Sequence, residues 1–576
     1  MSRFRVPFPS PVFVILLVSQ VLVACVHSSV KPGDPDAIEG QSRAGRVSPE
    51  SEGISRIAAS WYGNAVMYEI MVRSFADSNG DGIGDLRGLI DRLDYLNTGD
   101  PRTTTDLKVD AIWLMPIFES PSYHGYDTTN YLKIDPAYGT MEDFHELVDQ
   151  AHARGIRILL DLVLNHTSNQ HPWFQRSAHE PEGEYGRWYV WRADGPAWTR
   201  PWGGGPVWHK WGSRYYYGLF WEGMPDLNYD HPAVGEEMMR IGAHWLREGA
   251  DGYRLDAIRY LYENGKGKQA DQPRTHAWLK RFSARMHEEK EDAVLIGEVW
   301  SKAEDIVAYH GRGDELDLAF GFPESAGILE SIQTASARPL ADALLTVKKL
   351  YPEPRFSAPF LTNHDMPRLA TLLDRDPARI RLAAVTLLSL PGTPFVYQGE
   401  EIGLFNGSRP GDEGKRTPMQ WTSGPQAGFT NAPTPWNTLS GEQDTISVAA
   451  QQGRPDSLLT WYQTLIRLRK ASPALRRGGL FDIQYDADEP ARLGFVRVAE
   501  GELMLADFNF SSAPVPSQER VIPPDVLRSA RLAPGGLSAR ALLLGTDIPM
   551  SVGDRGEVRL TLPRAEPFSA RWIRIR

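Results

Sequence analysis

The stretch Ile156-Arg157-Ile158-Leu159-Leu160-Asp161-Leu162-Val163-Leu164-Asn165-His166 is an apolar run of strand length that stops in two polar side chains. Seven further runs share its character, at residues 65–72, 109–115, 252–256, 293–299, 316–320, 358–362 and 394–397. Between most of them lie stretches with helical spacing, at 141–154, 236–248, 275–289 and 380–388. Strands alternating with helices predict an α/β domain built on a parallel sheet. With eight strands a closed (β/α)8 barrel fits this order, and an open doubly wound sheet shares the same alternation.

Polar residues arrive where the apolar runs stop. The third run ends Asp161-Leu162-Val163-Leu164-Asn165-His166, the fourth Gly252-Tyr253-Arg254-Leu255-Asp256-Ala257, the fifth Gly297-Glu298-Val299-Trp300, the seventh Asn363-His364-Asp365. In a barrel these are the C-terminal strand ends, where active sites sit. Strand alternation puts Arg254 and Asp256 on one face. A guanidinium beside a carboxylate favours the charged form, so Asp256 is expected to have a low pKa, as a nucleophile needs. Glu298 lies in apolar surroundings, which raise a carboxyl pKa and suit a general acid/base. Hydrolysis of a glycosidic bond asks for this division of labour.

The remaining chain organises around that core. At 576 residues it calls for two or three domains, and its net charge of −11 argues against nucleic acid as a partner. Arg3 and Arg5 precede an apolar run over 12–24, too short for a membrane span but of the length of a secretory segment. It ends at Cys25, the only cysteine, so an intrachain disulfide is impossible. This stretch resembles a bacterial lipoprotein signal, which implies residues 1–25 as signal peptide and a lipid anchor on Cys25. Val26, not being acidic, then favours the outer membrane of a Gram-negative cell. Residues 26–60, rich in Ser, Gly, Pro and charge, read as a flexible tether.

About 70 residues after the third run carry few periodic signals and hold eight of the seventeen tryptophans: Trp173, Trp188, Trp191, Trp198, Trp202, Trp208, Trp211 and Trp221. Such an excursion is functional more often than idle, and flat aromatic rings suit the C–H faces of sugars. Most of these rings are expected to form the insertion's own core, with two or three reaching substrate. After a helix at 457–469, short strands near 503–508 and 556–562 predict a small antiparallel β domain, a sandwich. The resulting division is a catalytic barrel over 61–165 and 226–472, an inserted aromatic-rich domain over 166–225 and a C-terminal domain over 473–576.

Taken singly these words are weak, since an Asn-His-Asp is usually a loop and a strand-ending Asp is often a helix cap. In this order, over about 61–480, Asp-x-Val-x-Asn-His, Gly-x-Arg-x-Asp, a strand-ending Glu and Asn-His-Asp resemble the signature regions of the α-amylase family, glycoside hydrolase family 13. The resemblance implies the barrel, with Asp256 as nucleophile, Glu298 as acid/base and Asp365 as the residue that holds the sugar in its distorted form. It also implies Tyr126, Asp127, His166, Arg254, His364 and Arg368 as substrate-binding residues, with Asp161 and Asn165 in supporting roles. Family members retain anomeric configuration, which calls for closely spaced Asp256 and Glu298 carboxyls. A catalytically silent glucan-binding protein would lack one of the three acids, and all three are present.

Asp77-Ser78-Asn79-Gly80-Asp81-Gly82-Ile83-Gly84-Asp85 sets oxygen donors at alternate positions between glycines. The EF-hand reading fails, because Gly88 stands where its twelfth-position Glu belongs. By resemblance to family members with such a loop, Asp77, Asn79, Asp81, the Ile83 carbonyl and Asp85 would bind a structural calcium. Without it, the stretch is a solvated turn. Met224-Pro225-Asp226-Leu227-Asn228 resembles the subfamily of lipoprotein-like and periplasmic α-amylases. Arg416-Thr417-Pro418-Met419-Gln420-Trp421 and the residues from Asp256 to Tyr262 are similar instead to oligo-1,6-glucosidases and trehalose synthases. Ala257 is not the valine that α-1,6-specific relatives tend to carry. The expectation is therefore a secreted, lipid-anchored, monomeric α-amylase acting on α-1,4-glucans and malto-oligosaccharides. The alternative is an exo-acting α-glucosidase or a transglycosylase such as trehalose synthase.

Overall fold

Apolar runs too short for helices and flanked by turn residues become strands, and here each is packed on both faces. The strands are β1 (Met67–Ile70), β2 (Ala111–Leu114), β3 (Arg157–Val163), β4 (Gly252–Asp256), β5 (Val294–Gly297), β6 (Leu318–Phe320), β7 (Ser357–Ala358) and β8 (Phe395–Tyr397). Only Arg157 among their residues escapes full burial. The computed structural model describes residues 60–351 and 357–576. The expected signal peptide, Cys25 and the tether up to residue 59 lie outside the described residues. No helix among the described residues is long and apolar enough to cross a membrane.

All pairings among the eight strands are parallel, in the order β7-β6-β5-β4-β3-β2-β1-β8. The two ends meet through main-chain hydrogen bonds, Thr393 N to Ser357 O at 3.0 Å and Phe395 N to Pro359 O at 2.9 Å. The sheet thus closes into the barrel, and the open-sheet arrangement is ruled out. Outer helices follow the strands: α1 (Met141–Ala153), α2 (Pro232–Arg247), α3 (Pro273–Glu289), α4 (Phe322–Thr334), α5 (Arg338–Leu350), α6 (Pro377–Ser389) and α7 (Leu458–Ala471). Local chemistry sets their starts. Thr140 and Asp143 form a reciprocal capping box on α1, and Ser457 caps α7 through the Thr460 N–H at 3.1 Å; such caps are worth about 1 kcal/mol each.

The excursion after β3 has more regular structure than its sequence signals. Helix Pro172–His179 is followed by a three-stranded antiparallel sheet of Trp191–Arg192, Arg214–Tyr217 and Trp208–Trp211. Strands of two to four residues, aromatic on both faces, leave no alternation to read, which is why they were not foreseen. Phe174 forms their centre, stacked on Trp191 at 5.5 Å and edge-on to Trp211 and Tyr216. Trp202 and Trp221 stay outside this core, 51% and 44% exposed.

Beyond α7 come β9 (Gly479–Tyr485), β10 (Arg492–Ala499), β11 (Glu502–Asn509), β12 (Gln518–Ile522), β13 (Ala539–Ala541), β14 (Thr546–Asp547), β15 (Met550–Val552), β16 (Val558–Leu562) and β17 (Ser569–Ile575). They form a six-stranded and a three-stranded sheet. On β10, Leu493 and Phe495 join the barrel's core, while Val496 and Val498 face Val558, Leu560 and Leu562 of the smaller sheet. This period-two division makes the larger sheet both half of a sandwich and a wall on the barrel. Trp572 reaches furthest inward, donating to Ser389 Oγ at the end of α6 at 2.6 Å.

Candidate active site

Parallel register brings the polar strand ends together. Asp161 pairs with Arg254 across β3 and β4, and Leu255 pairs with Gly297, one residue before Glu298. Arg254, 1% exposed, is the hub. Its Nη1 contacts Asp161 at 2.9 Å and Asp256 at 2.6 Å, and its Nη2 contacts Glu298 at 2.9 Å. Its guanidinium lies over the rings of Trp113 and Tyr126, 5.2 and 5.5 Å from their centroids. Asp161 also accepts from Trp113 Nε1 at 3.2 Å and the Tyr126 hydroxyl at 3.0 Å. Asp256 and Glu298 are therefore held by the two prongs of one fork.

A second group comes from β1 and the segment after β7. His364 is fully buried, with Nδ1 2.6 Å from Glu69, and Nε2 2.8 Å from the Tyr126 hydroxyl and 3.2 Å from Asp365. Asp365 is held from above by Arg416 Nη2 at 2.9 Å. Tyr126 is aimed by Gly125, whose φ of +79° and close approach to Pro116 leave no room for a Cβ. The residue after Asp256 is unusual for an alanine. Ala257 has φ +50°, left-handed backbone, and its N–H donates to Glu298 Oε2 at 3.1 Å. Such a conformation costs a non-glycine residue of order 1 kcal/mol or more, and here it turns a donor onto the acid group.

These side chains floor a cavity of about 810 Å³. Of the residues expected from sequence, Tyr126, His166, Asp256, Glu298 and Asp365 line it. Arg254 and His364 lie just beneath, bonded to the lining acids. Asp127 is buried to one side and accepts from Ser120 Oγ at 2.8 Å and from Ser122 Oγ. Arg368 is a correction: it is 1% exposed, stacked 4.6 Å over Tyr397, and donates to the carbonyls of Gln398 and Thr417 at 2.7 and 3.2 Å. It braces the segment after β8 and does not reach the cavity. Arg416 takes the place expected for it. Asn165 donates to Asp226 Oδ2 at 3.0 Å and so ties the β3 end to the insertion. Sequence reading missed His124, Tyr260 and Trp300 in the lining, and of the excursion's eight tryptophans it left open which reach the cavity; Trp202 and Trp221 do. For Arg416 the signal is the motif Arg416–Trp421 itself, which stands out in the sequence.

Protonation departs from expectation at one group. Burial pushes Asp256 up to about 6, Arg254 pulls it down, and the nearby Asp161 charge pushes it up again. The low pKa expected from Arg254 alone is overturned, because one cation serves three buried carboxyls. Burial raises Glu298, with Arg254 opposing and Asp256 and Asp365 adding to the rise; this direction was expected. Burial alone would lower His364, but Asp365 and Glu69 outweigh it and lift the imidazole to about 9. Burial would raise Asp365, but His364 and Arg416 hold it well below the usual carboxylate range. Burial lowers His166 to about 3, leaving it neutral, and its Nε2 has no hydrogen-bond partner among the described residues.

Beyond Glu69 lie two more buried acids. Glu400 accepts from the Tyr462 hydroxyl at 2.8 Å, and Glu401 from those of Tyr68 and Tyr95 at 2.8 and 2.5 Å. Burial pushes Glu400 from 4.5 up to about 8. A carboxyl with a raised folded-state pKa contributes stability that is complete below its unfolded value and is lost as pH rises through the folded one. Glu400→Gln is therefore expected to melt higher than the parent at pH 9 and no higher at pH 5. Equal differences at both pH values in thermal unfolding would refute this.

A (β/α)8 barrel whose mouth gathers three carboxyl groups and a ring of aromatic side chains around one cavity is the architecture of a glycoside hydrolase. Residues 69–478 match the family model described as the α-amylase catalytic domain, and the chain belongs to the α-amylase family. It is 40% identical over 422 residues to α-amylase 3 of Dictyoglomus thermophilum, covering 73% of this chain and 79% of that protein. It is 37% identical over 513 residues to a trehalose synthase/amylase of Mycobacterium tuberculosis, covering 79% and 83%. The crystal structure of α-amylase from H. orenii superposes with a TM-score of 0.74 at 35% identity, covering 89% of this chain and 99% of that one.

Proposed function

We propose that this enzyme hydrolyses α-1,4-glucosidic bonds of starch-like glucans and malto-oligosaccharides with retention of configuration. The observation that carries the reading is the pair Asp256 and Glu298, lining one cavity from the two prongs of Arg254. In the proposed reaction Asp256 attacks the anomeric carbon while Glu298 gives its proton to the departing oxygen. The glycosyl ester on Asp256 is then opened by water, whose proton returns to Glu298. Asp365, fixed as an anion by His364 and Arg416, would accept hydrogen bonds from the sugar's hydroxyls. The unpartnered Nε2 of His166 supplies another contact. Trp202 and Trp221 offer faces for further rings.

A second reading is favoured by one feature. Arg416 opens the motif shared with oligo-1,6-glucosidases and trehalose synthases, and it sits on Asp365. That supports an exo-acting α-glucosidase or a transglycosylase using the same acids. Digestion of maltoheptaose separates the two. Mixed malto-oligosaccharides at early times are expected; glucose alone, or trehalose from maltose, would overturn the α-amylase reading.

A structural calcium is proposed at the loop after β1. The donors are all oxygen, which suits a hard cation. Among the described residues no three Asp, Glu, His or Cys side chains group as a metal site, so Asn79 and the Ile83 carbonyl would have to complete Asp77 and Asp81. Both end carboxylates are already engaged. Asp85 accepts from Ser78 N–H and Oγ and from Gly88 N–H at 2.9, 2.8 and 2.7 Å. Asp77 accepts from the N–H groups of Asn79, Gly80 and Gly82 at 3.0, 2.7 and 2.8 Å and from Thr430 Oγ1. A bound cation would have to share these oxygens. Chelator-treated enzyme is expected to melt lower and to recover on adding calcium, and an unchanged melting temperature would refute the site.

A further inference from the structure

The acid that protonates a leaving oxygen stands beside the leaving group, so the part of the wall next to Glu298 faces the aglycone. This inference rests on the glycosidase reading above. On that wall Trp300 follows Glu298 by two residues, lines the cavity and is 50% exposed. One ring face is stacked on Phe322 at 4.8 Å and 16°, leaving the other open. Its main-chain carbonyl accepts from Arg259 Nη1 at 2.6 Å. Arg259 is itself gripped by Asp271, Nε to Oδ1 at 2.9 Å and Nη2 to Oδ2 at 2.5 Å. Asp271 does not line the cavity. It also accepts from the Tyr309 hydroxyl at 2.8 Å, and its N–H returns to Arg259 O at 2.9 Å. Its φ of +55° is left-handed backbone, held against its cost by these four bonds.

We propose that the Arg259–Asp271 clasp is a positioning device for the leaving-group side: it closes the segment between residues 259 and 271 and holds Trp300 as a platform for a departing or incoming sugar. The planar fork is what permits it, because Arg259 spends two donors on Asp271 and keeps a third for Trp300. The clasp therefore bears on substrates with a sugar aglycone and on transfer to a sugar acceptor. It does not bear on bond-breaking at the anomeric carbon.

The test compares kcat/KM on maltoheptaose with that on α-maltosyl fluoride, whose leaving group is too small to use the platform. Asp271→Asn is expected to lose about tenfold on maltoheptaose, chiefly through KM, and less than about twofold on the fluoride. Trp300→Ala reaches the same platform without touching the clasp and is expected to show the same selective loss. The double variant should be no worse than Trp300→Ala alone, since both act through one ring. Equal losses on the two substrates, no loss on either, or additive losses in the double variant would overturn the clasp. A parent enzyme inactive on both substrates would instead overturn the glycosidase reading, and the clasp with it.

Discussion

Asp256→Asn is expected to lose turnover on the order of 10⁵ to 10⁶-fold, on maltoheptaose and on α-maltosyl fluoride alike. An amide oxygen cannot form the glycosyl ester, so an easier leaving group brings no relief. The change is nearly isosteric, and the folded protein tolerates it for an electrostatic reason. Asp256 is raised to about 6, so its contribution to stability is complete below the ordinary value of 3.8 and lost as pH rises through 6. Removing its charge therefore relieves the folded state at pH 7. An inactive protein that melts no lower than the parent is the expected result. Glu298→Gln should behave differently. In kcat/KM, which reports formation of the glycosyl ester, it should lose about 10² to 10⁴-fold on maltoheptaose and far less on the fluoride, which departs without a proton. Its kcat on the fluoride should fall, because water must open the ester without its base. The same titration sets the acidic limb of kcat/KM near pH 6 in the parent, because Asp256 must be ionised to attack. Fluoride turnover by Asp256→Asn close to the parent's would remove Asp256 from the role of nucleophile.

How much of this was legible in sequence depended on the range of the interaction. The eight strands were readable because burial on both faces leaves mainly apolar runs such as 158–164, interrupted there only by Asp161. The acids were readable because each ends such a run. Closure of the barrel was not, since it rests on main-chain bonds between residues near 357 and 393 that no side chain announces. The pKa of Asp256 was misjudged for a related reason. Alternation along β4 shows that Arg254 is adjacent, but only the register across β3, β4 and β5 shows that Asp161 and Glu298 share the same guanidinium. Arg368 and Arg416 show the limit of proximity in sequence: the arginine three residues from Asp365 turns away to carbonyls of 398 and 417, while the one fifty-one residues on makes the contact. Trp300 could have been weighed from its nearness to Glu298. The clasp below it joins side chains at 259, 271 and 309 with no spacing that suggests a site.

Arg254→Leu is expected to be the most destabilising single change at the site, because it strands Asp161, Asp256 and Glu298 together. Breaking a buried ion pair from one side costs about 3–5 kcal/mol, and here three carboxyls lose one counter-charge. The cost should depend on pH in a direction fixed by signs already given. Burial raises all three groups while Arg254 lowers them, so removing the arginine raises them further. Stability from such groups is present at low pH and lost as pH rises. The gap in melting temperature between parent and Arg254→Leu should therefore narrow towards pH 4, where the acids are protonated in both, and widen above pH 6. Arg254→Lys should not restore the parent, since one ammonium cannot donate from two directions to Asp256 and Glu298 while also reaching Asp161. Turnover should fail in both variants, because the two carboxyls lose their common support. A pH-independent gap would mean that Arg254 acts through packing against Trp113 and Tyr126, and the electrostatic account of the site would be wrong.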